Sequence, residues 1–286
     1  QNASYSYTFA ASDADAGDTV AFAASTKPSW LSFNAATGVL SGTPDNDDVG
    51  NHNIVLTATD STGAITSQSF TLTVANVNDT PTVTSSAVTS VNEDVAYSYT
   101  FASTDVDVGD SLTLAATTKP SWLNFNASTG VLSGTPDNDD VGNHSVVLTA
   151  TDSSSAVTTQ SFTVTVANVN DAPTITSSAI TSVNEDVAYS YTFAASDVDV
   201  GDSLTLAATT KPSWLNFNTS TGVLSGTPDN DDVGNHSVVL KATDSAGAVV
   251  TQSFTVTVAN TNDAPTITSS AVTSVNEDVA YSYTFA

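Results

Sequence analysis

Apolar and polar positions alternate with a period of two along most of the chain. In YSYTF (189–193), Tyr189, Tyr191 and Phe193 are separated by Ser190 and Thr192, and in SFTVTV (253–258), Phe254, Val256 and Val258 alternate with small polar residues. Such alternation turns one side of an extended strand to a core and the other to water. HSVVLKATD (236–244) adds another β-rich run. Between these runs stand NTSTG ending at Gly222, SGTPDNDDVGN from Ser225 to Asn235, and DSAG ending at Gly247, all rich in turn-forming residues. Helical periodicity and β-α-β alternation are absent from the sequence. The pattern predicts about seven short strands per unit, packed as an antiparallel β-sandwich of immunoglobulin-like architecture.

The pattern itself recurs. KPSWL places a tryptophan at Trp30, Trp122 and Trp214, so that both intervals are 92 residues, and the ND before each linker proline, ending at Asp79, Asp171 and Asp263, keeps the same step. Comparing 105–194 with 197–286 finds seven differences in 90 positions: Ala127/Thr219, Thr149/Lys241, Ser154/Ala246, Ser155/Gly247, Thr158/Val250, Val169/Thr261 and Ile180/Val272. Copies this close point to recent duplication, so a residue shared between them says little about its importance.

A unit of this length suffices for an independent domain and exceeds a solenoid turn. The expected organisation is a repeat lacking its first strand over 1–79, full repeats over 80–171 and 172–263, and the first strands of a further repeat over 264–286. Gln1 stands in the register of Glu185 with no cleavable leader before it, so the chain reads as a segment of something larger. Two readings fit the tail: strand addition to the open first sandwich of a neighbouring chain, or an arbitrary cut through a longer array, since YSYTFA at its end duplicates Tyr5 to Ala10.

Charge narrows the partners. The 286 residues include 30 acidic and 4 basic ones, with no arginine, for a formal charge of −26. Nucleic acid and anionic membrane surfaces need Lys/Arg patches and are excluded as expected partners; cations are favoured. A hydrophobic content of 40% in regular alternation predicts a folded chain despite that charge. The absence of Cys and Met rules out disulfides and thiolate metal sites. No apolar run reaches the ~20 residues of a membrane span, so membrane insertion is not expected of this segment.

PSWLNF (212–217) leaves two readings for Trp214: a core plug surrounded by Phe217 and Leu224, or an exposed platform for stacking on sugars. Each repeat has one histidine, His52, His144 or His236, in GNH. Without Cys, a G-x-S-x-G elbow or a second histidine for zinc, these read as solvent-facing residues at strand starts, and an enzyme is not expected. Six Asn-x-Ser/Thr sequons, among them Asn126, Asn143, Asn218 and Asn235, permit glycosylation in a secreted protein.

The acids fall into blocks: NED (184–186), DVDVGD (197–202), PDNDD (228–232), ATD (242–244) and NTND (260–263). Each borders a turn or linker, which in a sandwich lies at a pole, and successive repeats meet pole to pole. Calcium takes six to eight oxygens at about 2.3–2.6 Å from carboxylates, amides and backbone carbonyls, which is what these blocks offer. An acidic surface kept for solubility alone is the competing reading.

DVDVGD, FNTSTGVLSGTP, DVGNHSVVLKATD and ANTNDAP, in this order over nearly the whole chain, resemble the dystroglycan-type cadherin-like repeats of bacterial surface and secreted proteins, which in turn resemble cadherin ectodomains. The resemblance implies calcium at each junction. At the second junction Glu93 looks like the first ligand, Asp139 and Asp140 the next, Asn168, Asn170 and Asp171 the linker ligands, and Asp197, Asp199 and Asp244 those of the following repeat. The first junction would use Asp47, Asp48, Asn76, Asn78, Asp79, Asp105, Asp107 and Asp152, with Gln1 where the leading glutamate belongs. The linker begins with Asn where cadherins carry Asp, and DNDDVG replaces their Leu-Asp-Arg-Glu, leaving roughly one to three ions per junction as the expected range.

Uncompensated carboxylates would let the linker bend, and shared calcium would stiffen the array. The expectation is therefore a calcium-rigidified extender of a large extracellular or cell-surface adhesin or filament, with neighbouring repeats or like chains as partners. A carbohydrate- or protein-binding module acting through avidity is the alternative, with polysaccharide as its partner.

Overall fold

The computed structural model describes residues 1–285. The chain forms two compact units, Gln1–Asn168 and Val169–Ala286.

In the second unit the alternating runs build two sheets. One has the order Ser182–Asn184, Val249–Ala259, Gly234–Thr243, Thr205–Thr210; the other runs Tyr189–Thr192, Val223–Gly226, Asn216–Asn218. Thr174–Ile175 pairs separately with Ala195–Ser196, giving nine strand segments against the expected seven, because the ends of the repeat break into short pieces. All pairs are antiparallel except one: Ser182–Asn184 runs parallel to Val249–Ala259, with Ser182 opposite Thr257.

Alternation decides which residues enter the core. Along Gly234–Thr243 every second residue from Val238 is buried, giving Val238, Leu240 and Ala242. These meet Phe193, Leu215, Leu224 and Val256, and each large side chain so buried stabilises the fold by roughly 1.5–3 kcal/mol.

The first unit holds two such sandwiches, each with its own core. In the second repeat the sheets are Thr113–Thr118, Gly142–Thr151, Val157–Ala167, Ser90–Asn92 and Asn124–Asn126, Val131–Gly134, Tyr97–Thr100, closed around Phe101, Leu123, Leu132 and Leu148. In the first repeat Ala21–Thr26, Gly50–Thr59 and Ile65–Val74 form a three-stranded sheet where the second repeat has four strands.

The tryptophan follows neither sequence reading fully. Leu215 is the fully buried residue of PSWLNF, while Trp214 packs half-buried at the core rim, edge-on to Tyr189 at 5.9 Å and His236 at 6.0 Å. Gly226 makes that approach possible, since a Cβ there would lie 2.0 Å from the Trp214 carbonyl oxygen. His236 is likewise half-buried rather than solvent-facing, and its Nε2 donates to the Asp232 carbonyl at 2.6 Å.

Candidate metal centre

PDNDD folds as a single 3-10 turn because its first and last acids cap it. At Asn46–Asp48 the Asp45 carboxylate accepts the Asp47 N–H at 3.1 Å, and the Asp48 carboxylate accepts the Asp45 N–H at 3.1 Å, a reciprocal capping box. The same box forms at Asn138–Asp140 and Asn230–Asp232. Asp47 and Asp139 are left exposed at the pole, while Asp48 and Asp140 lie half-buried in the turn.

Around the linker of the first unit, both flanking repeats contribute. The Asp79 carboxylate accepts from the Asn46 amide at 2.8 Å and the Gln1 amide at 3.1 Å, both from the preceding repeat. From the following repeat, the Asp107 carboxylate accepts the Asp79 N–H at 2.8 Å, and the Asp152 carboxylate accepts the Asn78 amide at 2.8 Å. An open cleft lined by Asp45, Asn46, Asp47, Asp79 and Val106 lies there. Asn76 stands exposed.

The DVDVGD loop is folded by its own carboxylates. The Asp107 N–H donates to Asp105 Oδ1 at 2.9 Å, the Asp110 N–H reaches the Asp107 carbonyl at 3.2 Å, and Gly109 supplies the left-handed backbone (φ 94°) that returns the chain. One oxygen each of Asp105, Asp107 and Asp110 lies within 4.8 Å of the other two, and the arrangement recurs for Asp197, Asp199 and Asp202 and for Asp13, Asp15 and Asp18. Two ligands of one calcium lie at most about 5 Å apart, twice the calcium–oxygen distance, so these groups could hold a metal.

Asp152 is occupied differently. Its Oδ2 accepts from Asn78 and its Oδ1 from the Ala156 N–H at 2.8 Å. The Asn78 amide, helped by the amides of the turn, holds its carboxyl below the ordinary value. In the second unit Asn170 does the same to Asp244 at 2.9 Å, and the Asp171 N–H donates to Asp199 at 2.8 Å.

Glu93 and Glu185, each 1% exposed, are turned inward by the left-handed residues Asp94 (φ 56°) and Asp186 (φ 61°) that follow them. Glu185 accepts the Thr261 N–H, and the Glu93 N–H donates to the Ala167 carbonyl at 3.0 Å. Asn168, at the end of the first unit, is exposed.

The structure thus gathers Asn78, Asp79, Asp105, Asp107 and Asp152 around one linker, leaves Asn76 and Asp47 at its margin, and adds two residues absent from the expected set. Asn46 reaches Asp79, and Asp110 joins Asp105 and Asp107. The third acid of DVDVGD was the available signal for Asp110.

Among known proteins, the family model described as "Putative Ig domain" matches residues 1–75, 80–167 and 172–259. The "Serine-rich adhesin for platelets" of Staphylococcus aureus strain MRSA252 is 30% identical over 130 residues, covering 44% of this chain and 9% of that protein. Extracellular cadherin domains 1–5 of protocadherin gamma B2 superpose with a TM-score of 0.51 at 20% identity, over 85% of this chain and 53% of theirs. The chain therefore spans about half of the similar cadherin structure and a small part of the adhesin.

Proposed function

The chain belongs to this Ig-domain family, and from that premise we propose that it is an extender and adhesion array of an extracellular surface protein, made rigid by calcium at its junctions. The observation that carries this reading is the gathering of polar groups from two repeats around Asn78 and Asp79: the Asn46 amide from the preceding repeat and the Asp107 and Asp152 carboxylates from the following one. The cadherin-like fold and the platelet adhesin among the relatives support it.

At the first junction the ligands are Asp47, Asp48, Asn76, Asn78, Asp79, Asp105, Asp107 and Asp152, and one period later the chain carries the same residue types. Asp79, Asp107 and Asp152 together bring three negative charges to a short linker whose nearest side-chain donors are neutral amides. Left uncompensated, they repel one another and favour bending; sharing a cation removes that repulsion and ties both repeats to the linker. Affinity is expected near ~10⁻⁴ to 10⁻³ M, the range of extracellular calcium modules. No catalytic step is assigned to any residue.

Carbohydrate binding has less support, because the rings in the sandwiches pack inward. The most exposed aromatic residues among those described, Tyr281 at 54% and Phe285 at 70%, lie in the last segment.

Small-angle scattering on the whole chain tests the reading. Millimolar calcium should lengthen the maximum dimension and sharpen the distance distribution relative to chelator. The same distribution in both conditions would overturn it.

A further inference from the structure

Charge is segregated within each sandwich. None of the 30 acidic residues lies in a strand, and Lys241 is the one charged side chain that does among the described residues. The poles therefore carry the charge and the flanks are neutral. One flank ends in an open edge. Ala21–Thr26, Thr113–Thr118 and Thr205–Thr210 each close one end of a sheet, paired on the inner side with Gly50–Thr59, Gly142–Thr151 and Gly234–Thr243, and no strand among the described residues pairs with their outer side.

Such an edge presents a row of unpaired N–H and C=O groups, and exposed edges are ordinarily guarded by charge, proline or a bulge. AFAAST and TLAATT contain neither charge nor proline. The lysines that follow are engaged elsewhere, Lys119 Nζ donating to the Leu123 carbonyl at 2.6 Å and Lys211 Nζ to the Leu215 carbonyl at 2.5 Å. A bulge does follow Ala24, Ala116 and Ala208, where the hydroxyls of Ser25, Thr117 and Thr209 donate to the carbonyls of Val55, Val147 and Val239 at 3.2, 3.3 and 3.3 Å. It leaves a straight run before it, TLAA in the full repeats. There Leu114, Ala116, Leu206 and Ala208 pack on the core, so Ala115 and Ala207 present small side chains on the outer face.

We propose that these edges pair with the same edges of a second copy of this chain, antiparallel, joining two sheets into one across a two-fold axis. A two-fold contact sets a surface against itself. An acidic pole repels its own copy, whereas a neutral edge does not, and a partner recognised by charge would go to the poles instead. Each contact is short and weak by itself. Because the edge recurs in all three repeats, several such contacts on one chain combine through avidity. The formal charge of −26 opposes the association, so screening by salt strengthens it, the reverse of an ion-pair interface. The pairing needs no calcium and does not rest on the junction reading.

Sedimentation equilibrium on the whole chain, in chelator and over a sodium chloride series, tests this. The parent should form dimers that tighten as salt rises, and amide hydrogen exchange over 113–116 and 205–208 should slow as protein concentration increases. Ala23→Lys/Ala115→Lys/Ala207→Lys puts a charge on every edge and should abolish the dimers. Ser67→Lys/Thr159→Lys/Thr251→Lys makes the same change of charge two strands inward and should dimerise like the parent. Both variants are less negative than the parent, so loss of dimers in the first does not come from added repulsion between chains. The exchange pattern of the parent carries the test if the edge variant does not fold. A parent that stays monomeric in chelator at every salt concentration, an edge variant that dimerises as the parent does, or equal loss in both variants would overturn the proposal. Dimers that form only with calcium would also overturn it while leaving the junction reading standing, whereas dimers in chelator from a parent whose dimensions ignore calcium would overturn the junction reading alone.

Discussion

Tyr97 and Tyr189 are 2% and 3% exposed, and their hydroxyls donate to the carbonyls of Val88 and Ile180 at 2.8 Å. Burial, with a smaller contribution from Tyr99 and Tyr191, pushes both phenols up to about 12. An unfolded tyrosine ionises near about 10, so between those values the unfolded state binds fewer protons and stability falls as pH rises. Stability should be level up to about pH 10 and decline toward about 12, and Tyr97→Phe/Tyr189→Phe should flatten that decline in denaturant titrations. If Tyr97→Phe/Tyr189→Phe removed two phenols from the ultraviolet titration near about 10 and none from its part near about 12, that would contradict this. Asp152 and Asp244 act in the opposite sense: held low by Asn78 and Asn170, they stabilise the fold above the ordinary carboxylate range, and that contribution disappears as pH falls through their lowered values. At this scale the sequence is least explicit. The letters of PSWLNF do not say whether Trp214 or Leu215 faces inward, because that depends on register against Val223–Gly226. Nor does ATD reveal that both oxygens of its aspartate are taken by amides.

Whole strands were far more legible. SFTVTV buries Val256 and Val258 as its alternation predicts, because a strand has only two faces and a mixed pattern suits only one orientation. The DVDVGD loop was legible as an acid-rich turn, but the role of Asp110 depends on Gly109 reversing the backbone and on Ser153 arriving from a distant turn. Short parallel strands such as Ser182–Asn184 escape pattern reading, since three residues hold too little periodicity. Packing at this scale gives a sharp contrast between two substitutions in the third repeat. Leu240→Ala should cost about 2–5 kcal/mol. Gly226→Ala, whose methyl would meet the Trp214 carbonyl at 2.0 Å, should destabilise at least as much despite its small size. Denaturant midpoints decide this, and a Gly226→Ala midpoint at the parental value would disprove the close approach.

For the molecule as a whole, a formal charge of −26 makes ionic conditions a control on stability. Self-repulsion is screened over a Debye length of about 10 Å in 0.1 M salt, so sodium chloride should raise the melting temperature modestly. Calcium at matched ionic strength should raise it further, because the loop carboxylates are bound rather than screened; equal shifts from the two salts would contradict specific sites. The period of 92 was legible without any structure, since recurrence needs no knowledge of packing. One pairing within each full repeat bears on how such a domain withstands being pulled. Ser90–Asn92 lies near its start, and its partner Thr165 to Ala167 closes the last long strand, running the same way. Tension applied to the two ends drags these segments past one another, so their hydrogen bonds are loaded in shear, all at once, instead of unzipping singly from an edge.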